Sequence, residues 1–465
     1  MSDLLQILSS GAASLAAQRA AMATAGHNIQ NANTPGYARQ RAVIEATLPA
    51  ERVTGAYIGQ GARLQTIQQA RDRFIEAQLP GYQGQAARSA AGSAALEAVS
   101  ALDPEAPGNL GDALSGFFAS LRTLAQNAGD AGARQAAVGA ARTLALSFNR
   151  TRAGLEDART GIDARVAGSL PEVNGLASSL ARLNGEIRTA RAAGAEPNDL
   201  LDVRQKTVDQ LATLTGATPV PTSDGDVSLF LPGGVALVTS MSASTISAVG
   251  DASNAGHLAL RIAHPGGAPQ ALGAIGGELG GLLDARDGAL RTAVQGVDQL
   301  AFDLAGAVNT AHRAGTGLDG STGLDLLDGA TAVDGAAARL AVAASVVADP
   351  RRLAASSSAA TLPGDGQNAL ALVATEAQAL SGGLDAAGAL ASVTSAFGSA
   401  AAGLSAAASQ DAALRDNLVT MREATSGVSI EEELIEMQKA QRAFEAISRV
   451  IQVSSEMFDT LLQLK

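Results

Sequence analysis

The sequence predicts a mainly α protein: N- and C-terminal helices pair in coiled-coil fashion, an elongated helical bundle forms the middle, and a small β-rich insertion interrupts it. Three observations carry this. Both ends of the chain hold apolar stripes at heptad spacing. Most of the middle repeats apolar residues at three-four spacing, and between 217 and 272 the period changes to two. Of 465 residues 46% are hydrophobic but only 3% aromatic, with three Tyr and no Trp. The cores are therefore expected to be thin, with alanine-faced helices in close approach.

Taken in order, Ser2 and Asp3 suit a helix start, and Leu8, Leu15, Met22 and Ile29 follow seven apart with Leu4, Ala12 and Ala25 between them. The pattern stops in the run Asn28 to Tyr37. Its asparagines favour turns, Pro35 pushes Thr34 out of the helical region, and Pro35-Gly36 fit the central positions of a type II turn. Read from the residues, Asn33, Thr34, Pro35, Gly36 and Tyr37 are a helix stop. From 38 to 66, Val43-Ile44 and Tyr57-Ile58 read as short strands or extended chain. Gly59-Gln60-Gly61 has neither the strand-to-helix setting of a dinucleotide fingerprint nor a Walker lysine.

From 68 to 215 the chain reads as helices with polar breaks. One carries Phe74, Ile75 and Leu79 and is expected to stop near Pro80-Gly81; another runs to Leu102 before Asp103-Pro104. Leu110, Leu114, Phe117, Phe118, Leu121 and Leu124 make a third stripe. Val138, Leu144 and Phe148 mark a longer segment opened by Arg134. Val173, Leu176, Leu180, Leu183 and Ile187 repeat at helical spacing, and Leu200, Leu201, Val208, Leu211 and Leu214 follow. The aromatics on these stripes are read as core. Alternation at Val227, Leu229, Leu231 and at Leu258, Leu260, Ile262 defines the β-rich insertion, expected to be a separable unit. Helix resumes at Leu279 with Leu283, Leu290, Val297 and Leu304 seven apart. Residues 315–366 are loop-rich with one strand expected over Leu340 to Val347, and helix is expected from Gln367 to Gly427.

After the break at Gly427, Ser429 and Glu432 have capping-box spacing, and Glu431 and Glu433 favour the positive end of the helix dipole. The stripe then runs Ile430, Leu434, Met437, Ala440, Phe444, Ile447, Ile451, Ser454, Phe458, Leu461. At about 1.5 Å per residue this helix is on the order of 55 Å long. Its seam is expected to need a partner, which the N-terminal stripe offers; the open alternative is two ordinary amphipathic helices docked on a globular core.

Function classes fall away on composition. A formal charge of -12 argues against nucleic acid, which needs clustered Lys and Arg. No run approaches eighteen continuous apolar residues, so no membrane span is expected, and Met1-Ser2-Asp3 opens no Sec-type signal peptide. Zero cysteines remove disulfides and thiolate chemistry. His27, His257, His264 and His312 are scattered, without a metal-ligand pair, and are read as surface or loop residues. No G-x-S-x-G elbow occurs. No enzyme, cofactor or metal is expected.

The run Asn28-Ile29, then Ala32-Asn33-Thr34-Pro35-Gly36-Tyr37, after an N-terminal heptad helix, resembles the signature of bacterial flagellar rod, hook and hook-associated axial proteins. So does the other end: Ser426 through Glu432, Gln441-Arg442-Ala443-Phe444, Val450-Ile451 and Met457 to Leu462. Ala133 to Ala136, Asn198 to Arg204, and Leu300 to Phe302 with Asn309 to Gly315 are similar to the hook-associated branch at the hook-filament junction. The resemblance implies a secreted, extracellular structural subunit of the flagellum. It implies self-association in a ring, with hook protein on one side and a second junction protein on the filament side. It also implies a small export chaperone at the C-terminal region and passage through the flagellar export apparatus. The assembly seam would comprise Leu4, Leu8, Leu15, Met22, Ile29, Leu434, Met437, Phe444, Ile447, Ile451, Phe458 and Leu461.

The expected organisation is an inner terminal-helix domain from 1–45 and 425–465, a helical middle domain from 46–216 and 273–424, and an outer insertion at 217–272. The resemblance also implies that a larger β insertion of junction proteins is nearly absent here. Another rod or hook subunit, or a cell-wall hydrolase fused to axial ends, are the alternative functions; the second lacks a catalytic acid pair or metal set in the middle.

Overall fold

A computed structural model describes residues 2–47, 51–53, 56–58 and 61–463. The chain runs through α1 (Ser2–Gln30), four strands β1 (Gln40–Ala46), β2 (Glu51–Val53), β3 (Ala56–Ile58) and β4 (Ala62–Gln69), then α2 (Arg73–Glu97), α3 (Leu110–Gln126), α4 (Ala131–Ala192) and α5 (Asn198–Thr215). The insertion supplies β5 (Thr218–Pro221), β6 (Val227–Phe230), β7 (Ala236–Thr239), β8 (Ser242–Ala243), β9 (Thr245–Gly250), β10 (Leu258–Ala263) and β11 (Gln270–Ala271). Next come α6 (Gly277–Ala285), a π-helical turn (Arg286–Leu290) and α7 (Arg291–Ala314). Short pieces follow: β12 (Leu327–Asp328), α8 (Ala336–Arg339), β13 (Ala341–Val342), α9 (Ala344–Ala348) and α10 (Gln367–Ala374). Two long helices close the chain, α11 (Ala386–Ser426) and α12 (Ile430–Gln463).

Aspartates start the body helices: the side chains of Asp72, Asp130 and Asp385 accept first-turn backbone N–H groups of α2, α4 and α11. Leu114, Phe117, Phe118, Leu121 and Leu124 of α3 are buried with Ala141, Leu144 and Phe148 of α4 in one core cluster. The expected break at Pro80 is absent, because α2 continues through it to Glu97, short of the expected Leu102. An interior proline removes one helical hydrogen bond; burial of Leu79 and Pro80 itself offsets that loss. Phe74, read as core, is 72% exposed, since it lies one step round the helix from buried Ile75. α4 is a single helix of 62 residues that crosses Pro171, with Val166, Leu170, Val173 and Ala177 buried on both sides of it. It is roughly 93 Å long, the spine of the body.

The insertion does not project from this body. Its four-stranded β5-β6-β7-β8 sheet and three-stranded β11-β10-β9 sheet place Leu229, Leu231, Leu237, Val238, Ile246, Leu260 and Ile262 in the same core cluster as Val173 and Leu180 of α4. Asn184 of α4 donates to the carbonyls of Val227 and Ser240, and Asn174 donates to that of Ile246. At the crossing, Gly216 takes φ +67°, and a Cβ there would lie 2.7 Å from the Gly276 Cα.

Residues 315–366 are likewise packed. Leu326, Leu327, Ala336, Ala337, Leu340, Val346, Leu353 and Ala355 are all 2% exposed or less. The strand expected over Leu340 to Val347 is two residues of β13 followed by α9. Asn309 fastens this segment, accepting from the N–H groups of Leu326 and Leu327 and donating to the Leu327 carbonyl. The helix expected from Gln367 onward is broken between α10 and α11. By length and composition the run Ala386–Thr460 holds an 18-residue window of mean hydropathy 1.3, although no continuous apolar stretch of that length occurs in it. Alanine, leucine and valine raise that value while glycines and serines interrupt any continuous apolar run. Leu404 of α11 reaches Gly92 of α2, and Val393 meets Gly296 of α7.

Candidate assembly site at the paired chain ends

α1 and α12 lie side by side. A Cβ on Gly11 would stand 2.8 Å from Ile451 Cγ1, and at the other end Asn28 Nδ2 donates to Glu433 Oε2 at 2.9 Å. The two contacts run in opposite senses, so the helices are antiparallel, and the same register sets Leu15 level with Ile447 and Met22 level with Ala440. β1 and β4 pair antiparallel, with Gln40 opposite Gln69, and Ser14 of α1 exchanges hydrogen bonds with the backbone of Ala62. The terminal unit thus takes in chain past residue 45, where the sequence placed its limit, because β4 pairs back onto β1.

A buried polar lock joins the two ends. Asn28, 0% exposed, uses its whole amide: Nδ2 donates to Gln40 O and Glu433 Oε2, and Oδ1 accepts from Gln40 N and Tyr37 OH at 2.9 and 2.7 Å. The turn that aims Tyr37 is closed by Tyr37 N donating to Thr34 O, with Gly36 at φ +84° and Asn33, Thr34 and Pro35 exposed. Burial, and then the charges of Asp202, Asp199 and Glu433, push the Tyr37 phenol well above its usual range. Its hydroxyl stays protonated as a donor.

Arg39 bridges to the start of α12, with Nε on Glu433 Oε1 at 2.6 Å and Nη1 on Glu432 Oε2 at 2.8 Å. Ser429 Oγ accepts from Glu432 N at 3.4 Å, but Glu432 does not complete a capping box because its carboxylate is taken by Arg39. Glu433, read as a helix-dipole residue, is 3% exposed and lies at the centre of the lock.

The same unit is tied to the body. Gln40 Nε2 donates to Asp199, Asn198 Nδ2 donates to Ile67 O, and Gln69 Nε2 donates to Asn198 O and Asp202. Arg71 pairs with Asp202 and with Glu76. Burial pushes the Asp202 carboxyl up despite Arg71.

The expected seam residues fall in three groups. Leu8, Leu15, Met22, Ile29, Met437, Phe444, Ile447, Ile451 and Phe458 are half-buried. Leu434, at 41% exposed, faces outward, because the buried position of that turn belongs to Glu433. The side chains of Leu4 and Leu461 lie outside the described residues. The pair also exposes an apolar set the heptad reading left out: Ile7 on α1, and Ile435, Val450, Val453 and Met457 on α12.

A family model for the flagellar hook-associated protein FlgK helical domain matches residues 98–327, and one for the C-terminal part of flagellar basal body rod FlgEFG protein matches residues 423–464. Flagellar hook-associated protein 1 of Salmonella typhimurium is 33% identical over 334 residues, covering 69% of this chain and 58% of the relative. The chain belongs to the flagellar hook-associated protein 1 family. The Escherichia coli relative of that name is 31% identical over 69% of this chain and 59% of its own length. The chain therefore spans a little under three fifths of these relatives. The flagellar hook junction protein FlgK from Burkholderia pseudomallei shares the fold, with a TM-score of 0.69 over 75% of this chain and 100% of that chain at 19% identity.

The internal stretches that carried the resemblance lie inside the matched helical domain, and the structure gives them work. Arg134 is buried and donates to the carbonyls of Ala128 and Leu353; Asn198 and Asp202 hold the terminal unit; Asn309 and His312 hold the packed segment after α7. Of the four histidines read as surface or loop residues, two are buried, His312 inside α7 and His257 in a loop. His312, 0% exposed, places Nδ1 2.6 Å from Leu324 O while Nε2 accepts from Ala354 N at 3.0 Å, and burial lowers its pKa. His257, 6% exposed, lies between Glu156 and Asp163. A spacing search along the chain missed both, because their partners come from distant segments.

Proposed function

We propose that the chain is a structural axial subunit of the bacterial flagellum that forms the junction between hook and filament by lengthwise packing of its terminal helices. The observation that supports this most is the antiparallel pair α1–α12, polar-locked at the Asn28 end and with apolar side chains exposed along the rest of its length. An exposed apolar face on a helix pair gains by burial against neighbours, and a ring of identical subunits supplies them. In this reading hook protein lies on one side and a second junction protein on the filament side. The subunit is secreted through the flagellar export apparatus, a small chaperone covers its C-terminal region beforehand, and it performs no catalysis. Negative-stain microscopy of a deletion strain tests the reading. Hooks without filaments, with flagellin lost to the medium and filaments restored by the intact gene, are expected; normal filaments in the deletion strain would refute it.

A further inference from the structure

Loop 251–257 of the β insertion meets α4 and the π-helical turn in a closed set of charges. His257 faces Asp163 Oδ2 through Nδ1 at 2.7 Å and Glu156 Oε1 through Nε2 at 2.8 Å. Asp163 also takes Arg286, and Glu156 takes Arg159 at 3.2 Å. Arg286 forks onto Asp287, whose Oδ1 accepts from Asn254 Nδ2 at 2.8 Å, and Asn254 Oδ1 accepts from Arg159 at 2.8 Å. Asp251, at the rim, accepts from Ser253.

Carboxylate oxygens only accept, so the two His257 hydrogen bonds exist together only when both ring nitrogens carry a proton. In that state the three inner carboxylates, Glu156, Asp163 and Asp287, are balanced by Arg159, Arg286 and the imidazolium. Burial pushes the Glu156 carboxyl up, but the hydrogen bond from His257 and the Arg159 charge outweigh it and hold it low. Two backbone features converge on the cluster. Ala255, a non-glycine residue, takes φ +53° between Asn254 and His257, and the π turn interrupts α6–α7 where Arg286 and Asp287 point into the network. Strained residues and π turns concentrate where a side chain must be held in one place.

We propose that His257 is a proton-dependent latch: doubly protonated, it clamps loop 251–257 of the β insertion to α4, and loss of one proton releases that end of the insertion while the apolar contacts of β6, β7 and β9 hold the remainder.

Amide hydrogen exchange of the full chain at about pH 5 and about pH 8 tests it after correction for intrinsic rates. Losing one charge-assisted hydrogen bond predicts a roughly tenfold to hundredfold fall in protection over 251–257 at the higher pH. Glu156→Gln supplies an amide N–H to Nε2, so a neutral ring keeps both bonds, and protection should persist at both pH values. His257→Gln should leave the loop weakly protected at both. Equal protection of the unaltered loop at the two pH values, or a Glu156→Gln chain that opens with pH as the unaltered one does, would overturn the latch.

Discussion

The helical body and the terminal pair are built from similar stripes and finished differently. In the body, Phe117, Phe118, Leu121, Leu144 and Phe148 expose nothing, and helices, sheets and the packed 315–366 segment share one core. In the pair, Phe444, Ile447 and Ile451 stay half-exposed, and what is buried is small or polar: Ala440, Ser454, Asn28 and Glu433. The body fills a large apolar core within one chain, although Leu146, Leu414 and Met421 stay exposed on it. The pair has its register set by hydrogen bonds, which are directional, and keeps apolar side chains exposed, which in the proposed function a neighbour covers.

The comparison breaks most visibly if the body loses a layer. Replacing 217–272 with a short linker, which the sequence alone recommends as harmless, uncovers Val173, Ala177 and Leu180 of α4. Soluble helical protein should be lost, as followed by circular dichroism and gel filtration; a well-folded, cooperative product would show that the insertion is separable after all. The point version is Leu180→Ala, with an expected destabilisation of about 2–5 kcal/mol in urea unfolding.

A smaller effect is expected at the lock. Glu433→Ala leaves Asn28 short of a partner in the interior and should loosen α1–α12 by about 1–3 kcal/mol. Exchange along those helices should rise while the body's melting temperature holds. A matching drop in the body would mean that the two regions unfold together.

His312 gives the body its own acid sensitivity. Burial lowers its pKa in the folded chain, so folding favours the neutral ring. That contribution is fully present above the unfolded value of about 6.5 and is lost as pH falls through the lower folded one. Protonation also removes the acceptor for Ala354 N. Thermal unfolding monitored in acid should show this slope, and His312→Gln should flatten it.

The smallest perturbation sharpens the packing of the pair. Gly11→Ala places a methyl against Ile451 and should cost about 1–3 kcal/mol of pairing through overpacking, read as faster exchange in α12. Unchanged exchange would mean that the two helices do not meet at Gly11.

Periodicity made the helices, the turn at Pro35-Gly36 and the alternation of the insertion readable, because each rests on neighbours in sequence. Leu229 and Ile262 alternate as the strand reading requires, but nothing local in them says that their buried face meets α4 rather than a core of their own. Pro80 read as a break since local propensity was the only term in view, whereas tertiary burial outweighs it. Glu433 was the costliest misreading: three glutamates in a first turn look alike, and only Arg39 and Asn28, some four hundred positions away, single one out.

The most direct test of the central claim places a carboxylate in the α12 seam. In the free chain Phe444 and Ile451 are half-exposed, so glutamate there can reach water at little cost; in an assembled ring the same group would be buried unpaired, at several kcal/mol. Purified Phe444→Glu and Ile451→Glu chains should keep the body's melting temperature, yet fail to restore filaments to a deletion strain, while Arg449→Glu, off the seam, restores them. Normal filaments from the seam variants, or a body that melts many degrees lower, would contradict the assignment of α12 to assembly.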